Sequence, residues 1–219
     1  MIELANIDFK YPQSDFRLAI PQLQIEKGNK IAIIGPSGFG KTTFLNLLAG
    51  ILQPDSGEIS FDGLSLNGLS DKQLRNFRIT NIGFVFQDFR LIPYLNILDN
   101  ILLPYRINES LKLSKEAVNS ACELTEKLGV ANKLKKYPDK LSQGERQRVA
   151  ICRALITKPR VILADEPTGN LDPDNKKRIM KILFEYVDER GSTLISVTHD
   201  HLMLEGFNRI VDFTELKVG

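Results

Sequence analysis

The sequence has few cysteines, no tryptophan and no long apolar run. Its two cysteines, Cys122 and Cys152, lie in apolar or helical-looking stretches, which favours buried thiols in a reducing compartment over a disulfide framework. No stretch approaches the roughly 18 apolar residues that span a bilayer, and the opening ten residues lack a basic-then-apolar signal pattern. We therefore expect a cytoplasmic chain, so that any role at a membrane would require a separate membrane protein.

A large excess of one charge is also missing. The 219 residues carry a formal net charge of +2, with 42% hydrophobic and 26% charged residues. This composition is typical of a folded globular chain and excludes general disorder. Binding of a nucleic acid backbone needs a concentrated basic face, so we expect no nucleic acid partner.

Short apolar segments alternate with helical ones at both ends of the chain, which predicts a mainly parallel α/β core. The first segment alternates polar and apolar residues, whereas the later ones are continuous apolar runs, typical of strands covered on both faces. Turn residues around Glu58–Phe61 predict a small antiparallel region. The predicted strands are 2–9, 30–34, 58–61, 82–86, 161–164 and 193–197.

The middle of the chain has little β signal. Helical patterns cover 114–128 and 144–156, and a further helix is predicted around 176–187 between the last two strands. We interpret the whole chain, 1–219, as a single domain with a core lobe formed by 1–87 and 159–219. Residues 88–158 are then an inserted α-helical subdomain.

A glycine-rich phosphate loop provides the first functional signal. The segment from Gly35 to Thr42 fits G-x-x-x-x-G-K-[ST] and lies between a predicted strand and a predicted helix, the context that this motif requires. Glycines allow successive backbone N–H groups to point at phosphate oxygens, Lys41 supplies a cation, and the Thr42 hydroxyl can ligate magnesium. The predicted nucleotide-binding residues here are Gly35, Pro36, Ser37, Gly38, Phe39, Gly40, Lys41, Thr42 and Thr43.

Two acids follow the strand 161–164. In open α/β sheets ligands bind at the carboxyl ends of strands, where Asp165 and Glu166 stand. We expect Asp165 to hold magnesium and Glu166 to polarise the attacking water. The chain is therefore predicted to bind ATP with Mg²⁺ and to hydrolyse it to ADP and phosphate.

The stretch 141–148, Leu-Ser-Gln-Gly-Glu-Arg-Gln-Arg, is followed by Leu-Ala-Asp-Glu-Pro-Thr-Gly-Asn-Leu-Asp at 163–172. Together they resemble the signature motif, acidic strand and D-loop of ATP-binding-cassette (ABC) proteins. The resemblance covers essentially the whole chain, with the motifs in the family's order, and it implies a P-loop (RecA-like) fold.

The resemblance also assigns roles to single residues. Tyr11 resembles the aromatic residue that stacks on adenine, although a core tyrosine is the alternative. Gln87 resembles the Q-loop glutamine that reaches magnesium and water, and His199 resembles the switch histidine at the terminal phosphate. Lys41, Gln87, Glu166 and His199 are thus the expected catalytic residues, with Thr42, Gln87 and Asp165 at the metal. His201, by contrast, is expected to be an exposed residue at a helix start.

Signature motifs of this family act on the ATP of a second chain. The resemblance therefore implies an ATP-dependent dimer, expected to be a homodimer, in which Ser142, Gln143, Gly144 and Glu145 contact the partner's nucleotide. Asp172 would lie across the dimer seam. Gln143 departs from the usual L-S-G-G-Q pattern, and if this position needed a positive φ the side chain would cost on the order of 1 kcal/mol. We expect activity to persist, with the ATP sandwich weakened.

The motifs are most similar to those of ATPase subunits of lipoprotein-releasing, macrolide-exporting and cell-division systems. This similarity implies an ATPase at the inner face of the cell membrane that drives a separate permease, which would dock near residues 88–106. The apolar residues Phe89, Leu91, Ile92, Tyr94 and Leu95 could form that docking groove or the subdomain's core. A signalling complex of the cell-division type is an alternative, and a soluble ATPase acting on DNA or ribosomes fits less well.

Overall fold

A computed structural model describes residues 1–169, 171–200 and 203–215. Asn170 of the D-loop and His201, the predicted helix-start histidine, lie outside the described residues. Within the described ranges no helix is long and apolar enough to cross a membrane.

The centre of the fold is a parallel sheet. Its five strands have the order β6-β7-β8-β3-β9, and every neighbouring pair is parallel. Four of the strands were predicted from their apolar runs, whereas β9 was missed because only Val211 of its four residues is buried. The strands are β3 Lys30–Ile34, β6 Ile82–Val85, β7 Val161–Asp165, β8 Thr193–Val197 and β9 Arg209–Asp212.

A second, antiparallel sheet has the order β2-β1-β4-β5. Strand β2 was not predicted, because Pro21 interrupts its alternation; β2 is an edge strand, where a missing N–H is tolerated. In β1 the pairing register shifts between Ala5 and Asp8, with Asn6 at a φ of 52°. This bulge keeps both Leu4 and Ile7 buried although they are three residues apart. The strands are β1 Ile2–Lys10, β2 Arg17–Ile25, β4 Ser56–Phe61 and β5 Leu64–Ser65.

Seven α-helices surround the sheets in the described residues. One of them, 71–81, was not predicted, although Ser70 and Gln73 form a capping box at its start. The others agree with the predicted helical stretches or lie within the predicted helical middle. The helices are α1 Lys41–Leu48, α2 Asp71–Asn81, α3 Ile97–Ile101, α4 Leu103–Ile107, α5 Lys115–Lys127, α6 Gln143–Leu155 and α7 Pro173–Arg190.

Two buried apolar clusters cover the two faces of the parallel sheet. One joins the sheet to α1 and the antiparallel strands, and the other joins it to α3, α5, α6 and α7. Successive residues of β7 alternate between them, since Ile162 packs in the second cluster and Leu163 in the first. The helices of the middle segment thus share a core with α7 and the sheet. The lobe boundaries at 87/88 and 158/159 stay a prediction.

Candidate active site

The phosphate loop connects β3 to α1. Gly35, Gly38 and Gly40 adopt φ values of 140°, 85° and 87°, and Gly40 is the N-cap of α1. Residues with a Cβ rarely adopt these values, so the loop needs glycine at these three positions. The backbone therefore bends tightly and directs the N-terminus of α1, with its partial positive charge, at the mouth of the site.

Lys41 curls back over this loop. Its Nζ donates hydrogen bonds to the carbonyl oxygens of Gly35 (2.8 Å) and Pro36 (2.6 Å). Burial lowers the pKa of the Lys41 ammonium, while the nearby Glu166 and Asp165 carboxylates act against that shift. A buried cation held by neutral carbonyls is well placed to receive an anionic phosphate.

Asp165 lies at the carboxyl end of β7 and meets Thr42 at the start of α1. The Thr42 hydroxyl donates to Asp165 Oδ2 across 2.9 Å. Asp165 is 5% exposed, and burial raises the pKa of its carboxyl group, partly offset by the Thr42 hydrogen bond. The structure thus brings together a hydroxyl and a carboxylate that are 123 residues apart in sequence.

Glu166 is held between two side chains that follow the neighbouring strands β6 and β8. Gln87 Nε2 donates to Glu166 Oε2 at 3.1 Å, and His199 Nδ1 lies 3.0 Å from Glu166 Oε1. Glu166 itself has a φ of 47°, an uncommon value for a residue with a Cβ. Such conformations concentrate at functional sites, where the surrounding structure maintains them. Here the Glu166 N–H donates to the Val197 carbonyl of β8 at 3.0 Å.

These groups line one cleft with a volume of about 450 Å³. Two predicted loop residues do not line it: Pro36 contributes only its carbonyl to Lys41, and the Phe39 ring packs against the apolar core. The cleft residues are Tyr11, Phe16, Gly35, Ser37, Gly38, Gly40, Lys41, Thr42, Thr43, Gln87, Asp165, Glu166, Val197 and His199.

Aromatic side chains form one edge of the cleft. The Tyr11 hydroxyl is hydrogen-bonded to Thr43 Oγ1 at 3.1 Å, and its ring meets Phe9 edge-on with centroids 4.8 Å apart. Phe16 lies 5.8 Å from the Tyr11 ring, and a Cβ at Gly40 would approach the Phe16 ring to 2.6 Å. Sequence reasoning missed Phe16, for which the only available signal was a second aromatic residue near Tyr11.

The signature residues form the N-terminus of α6. Ser142 is the N-cap, and it makes a capping box with Glu145, whose backbone N–H donates to Ser142 Oγ at 3.2 Å. Glu145 Oε2 accepts from the Ser142 N–H (2.8 Å), and Glu145 Oε1 pairs with Lys133 at 2.9 Å. Lys133 is the main cause of the lowered pKa of Glu145. The Glu145 carboxylate is therefore bound within its own chain.

Gln143 does not meet the condition under which its backbone would be strained. It is the first residue of α6, and it is not among the non-glycine residues with a positive φ. The backbone strain that a positive φ would cause is therefore absent at this position, because a helical residue needs no left-handed conformation. The Gln143 side chain is exposed beside Ser142.

Asp172 is the N-cap of α7. Its carboxylate accepts from the Asn175 N–H at 3.1 Å and from Asn175 Nδ2 at 2.6 Å, and these bonds lower its pKa. Asp172 and the residues from Ser142 to Glu145 do not line the cleft of the phosphate loop. The predicted site residues thus form two separate groups on one chain.

Comparisons with known proteins identify the family of this chain. A family model described as "ABC transporter" matches residues 18–169. The lipoprotein-releasing system ATP-binding protein LolD of Buchnera aphidicola is 40% identical over 208 residues, or 94% of this chain and 90% of the relative. The macrolide export ATP-binding/permease protein MacB of Rhodopirellula baltica is 39% identical over 96% of this chain, which spans 31% of that longer protein.

A solved structure gives the same result for the fold. The dimeric ATP-binding cassette MJ0796, in a post-hydrolysis state with bound ADP and Pi, has a TM-score of 0.89 and 36% identity, and it covers 97% of this chain and 94% of its own. The predicted P-loop fold and the similarity to lipoprotein-releasing and macrolide-exporting ATPases are thereby confirmed. The chain belongs to the ABC transporter family, as an ATP-binding and ATP-hydrolysing subunit.

Proposed function

We propose that this chain works as one half of a pair, in which each chain holds ATP and Mg²⁺ in its cleft and receives the signature motif of the other. Closure of the pair would drive a separate membrane permease. The observation that carries this proposal is the separation of the site into two groups. The cleft contains the hydrolytic side chains, whereas the N-terminus of α6 lies exposed outside it.

The donor set at Thr42 and Asp165 fits magnesium. A hydroxyl and a carboxylate lie 2.9 Å apart, and the Gln87 amide reaches the neighbouring carboxylate. Magnesium prefers such oxygen ligands and usually takes one or two carboxylates together with substrate phosphates. In the described ranges no group of three or more acidic, histidine or cysteine side chains could hold a metal ion by itself, and a site completed by phosphate oxygens needs none. Bound there, magnesium would neutralise charge on the phosphate oxygens.

The residues around the terminal phosphate have distinct proposed roles. Glu166 accepts a proton from the attacking water, since its carboxylate is held in place from both sides. His199 contacts the terminal phosphate, Lys41 exchanges its carbonyl partners for phosphate oxygens, and Tyr11 stacks on the base.

The second group acts on the partner's nucleotide. A helix leaves its first N–H groups without intrahelical partners, and the positive end of its dipole favours anions. At α6 these groups belong to Gln143 and Gly144, and the capping serine lies beside them. We propose that Ser142 and Gly144 contact the partner's ATP, and that Asp172 lies near the seam. A relative of this chain has been solved as a dimer.

The permease is proposed to dock in a groove to which the stretch 88–106 contributes Arg90, Leu103 and Pro104. This groove has a volume of about 270 Å³ and lies between the edge strand β6, α4 and the end of α6. Its walls are largely apolar, with the Phe84 and Phe86 rings stacked 4.1 Å apart and Ile107 67% exposed. Such an exposed apolar groove is typical of a protein interface. Docking there would place the chain at the inner face of the membrane.

The apolar residues between Phe89 and Leu95, for which the sequence allowed either a docking groove or the subdomain's core, have different environments in the structure. Leu91 packs against the second buried cluster, whereas Tyr94 is 77% exposed. The stretch 88–106 therefore supplies both core and surface, and Tyr94 is exposed although it does not line the groove.

Mixing two inactive variants tests the composite site. Lys41→Ala disables a chain's own cleft, and Gly144→Asp places a negative charge where the partner's phosphate would lie. An acid in the first turn suits the helix dipole, so Gly144→Asp should still fold. A mixed dimer contains one site with both defects and one intact site. When equal amounts of the two variants are mixed, about half of the dimers contain one chain of each kind, and each of these has one working site of two. We therefore expect the mixture to restore on the order of a quarter of the wild-type ATPase rate. A mixture no more active than either variant alone would contradict the proposal.

A further inference from the structure

Arg153 lies near the C-terminal end of α6, the signature helix, whose N-terminus carries the signature residues, and it binds two backbone carbonyls outside that helix. From the last turns of α6, its Nη1 donates to the Arg90 carbonyl at 2.6 Å and its Nη2 donates to the Phe89 carbonyl at 2.5 Å. The side chain is half-buried. Burial lowers its pKa to about 10, with the Asp88 carboxylate acting against that shift, so it stays charged at neutral pH.

The two carbonyls belong to a bent segment. Residues 86–90, here the Gln87 segment, leave the end of β6, and Phe89 and Arg90 have φ values of 62° and 46°. Two successive non-glycine residues in the left-handed region persist only where the surroundings hold them. The guanidinium of Arg153 binds both of these residues at once, as its planar fork allows.

The same segment carries the group that touches the catalytic carboxylate. Gln87 donates to Glu166 two residues before Phe89. Arg153 itself belongs to α6, which runs without a break from Gln143 to Leu155. Arg153 therefore lies about 15 Å along the helix from Gln143. The end of α6 also packs directly on β6, because a Cβ at Gly83 would lie 2.2 Å from the Ala154 carbonyl oxygen.

We propose that Arg153 is a positioning residue that fixes the Gln87 segment to the signature helix. When α6 shifts as its N-terminus meets the partner's ATP, the two hydrogen bonds carry that shift to Gln87 and change its place beside Glu166. This inference rests on the proposed function, since it uses the roles given there to Gln87 and to the N-terminus of α6.

A double-mutant cycle on the full-length chain tests it. Arg153→Met keeps the apolar stem and removes the guanidinium, and Gln87→Ala removes the amide. We expect Arg153→Met to lower kcat for ATP about tenfold with KM changed less than about twofold, because the positioned group acts after ATP binds. In the Gln87→Ala background the same change should have almost no further effect. Full additivity of the two losses, or a normal kcat for Arg153→Met, would overturn the proposal.

Arg153→Lys serves as the conservative variant. A single ammonium can bond to one of the two carbonyls but does not reproduce the fork. It should recover part of the lost kcat in the wild-type background and none in the Gln87→Ala background. If Arg153→Met fails to fold, the same cycle is run with Arg153→Lys, and additivity again rejects the inference.

Trypsin supplies a local readout that does not depend on activity. The bond after Arg90 is a tryptic site in an exposed position, and Arg153 holds the carbonyl of that residue. We expect Arg153→Met to speed cleavage after Arg90 several-fold relative to other sites, as followed by mass spectrometry. Tyr186→Phe is the matched control, since it removes a hydrogen bond to the Leu155 carbonyl at the same end of α6. Equal cleavage after Arg90 in both variants would reject the specific link.

Failure of this inference is separable from failure of the proposed function. If the Lys41→Ala and Gly144→Asp mixture regains activity but Arg153→Met turns over normally, only the role of Arg153 is rejected. If the mixture stays inactive, the composite site itself is rejected. A normal kcat for Gln87→Ala would reject both the role of that glutamine and a role for Arg153 that acts through it.

Discussion

The two functional regions of this chain are built in opposite ways. In the cleft, side chains from several elements meet and bond to each other: Thr42 to Asp165, and Glu166 to both Gln87 and His199. At the start of α6, Ser142 and Glu145 bond only within their own short segment and to Lys133, among the contacts described. One region is thus assembled within the chain, whereas the other is an exposed surface that is proposed to meet a second chain.

Both regions use a helix N-terminus, but their caps differ. Helix α1 begins after Gly40, whose side chain is only a hydrogen and which makes no side-chain cap. Helix α6 begins after Ser142, whose hydroxyl accepts from Glu145. A glycine cap leaves the first N–H groups to a ligand, whereas the capping box satisfies two backbone N–H groups, those of Ser142 and Glu145, and stiffens the start of the helix. This difference fits the roles proposed above, in which the loop surrounds phosphate and the start of α6 is a rigid edge that closes over the partner's ATP.

The strongest test of the cleft is Glu166→Gln. Glutamine keeps the shape and still contacts Gln87, but it does not accept a proton from water. We expect turnover to fall by about 10² to 10⁴, the usual contribution of a general base, while ATP binding persists. Phosphate release measures the first effect. Size exclusion with ATP should show a stable dimer, because the nucleotide is no longer consumed. Normal hydrolysis would show that the cleft lacks the base assigned to it.

Lys41→Ala should have the next largest effect. Loss of a charge-assisted contact to phosphate costs about 1.5–3 kcal/mol, which weakens ATP affinity by roughly 10- to 100-fold. A fluorescent ATP analogue in a binding titration would measure the change. Lys135→Ala, at an exposed lysine away from the cleft, is the control. Equal affinities of the two variants would remove Lys41 from the phosphate site.

Glu145→Ala tests the other region through stability. It removes the side-chain half of the capping box and the ion pair with Lys133, and we expect a loss of about 1 kcal/mol in the free energy of unfolding. Glu145→Gln retains the capping geometry and should lose less. Urea denaturation at neutral pH would compare them.

The pH dependence of this loss has a definite sign. Because the pKa of Glu145 is lowered in the fold, its carboxylate stabilises the protein above the ordinary pKa of a glutamate. That contribution disappears as the pH falls through the lowered pKa. The difference between wild type and Glu145→Gln should therefore shrink below about pH 4. A difference independent of pH would show that the Lys133 pair contributes nothing.

Continuous apolar strands and long amphipathic helices could be predicted from the sequence because their burial pattern is periodic. Strand β2 could not be predicted, since Pro21 breaks its alternating pattern. A proline, which lacks an N–H, is tolerated there only because β2 lies at the edge of its sheet. The short strand β9 presents one buried residue, which is too little for a pattern. The capping box at Ser70 was a readable signal for α2, but the helix has only one buried residue, Leu74.

The cleft was predictable because motifs at strand ends must meet at one edge of a parallel sheet. The individual hydrogen bonds within the cleft were not predictable, because they depend on the local path of the chain. The left-handed backbone at Glu166 and the contact from Arg153 to the Gln87 segment have no sequence signature. Whether Gln143 needed a positive φ was left open by the sequence, because this depends on where α6 begins, and the helix includes Gln143 as its first residue.

Gln143→Gly is the mildest of these changes and asks whether the exposed region tolerates its unusual residue. Gln143 is the first helical residue and has no positive φ, so glycine relieves no strain and only adds flexibility. We expect less than about 1 kcal/mol of lost stability, the upper cost of glycine in a helix, and an ATPase rate within about twofold of wild type. Thermal unfolding and steady-state phosphate release would measure both. A rate several-fold higher would instead mean that the Gln143 side chain obstructs the approach of α6 to the partner's ATP, although its helical backbone is unstrained.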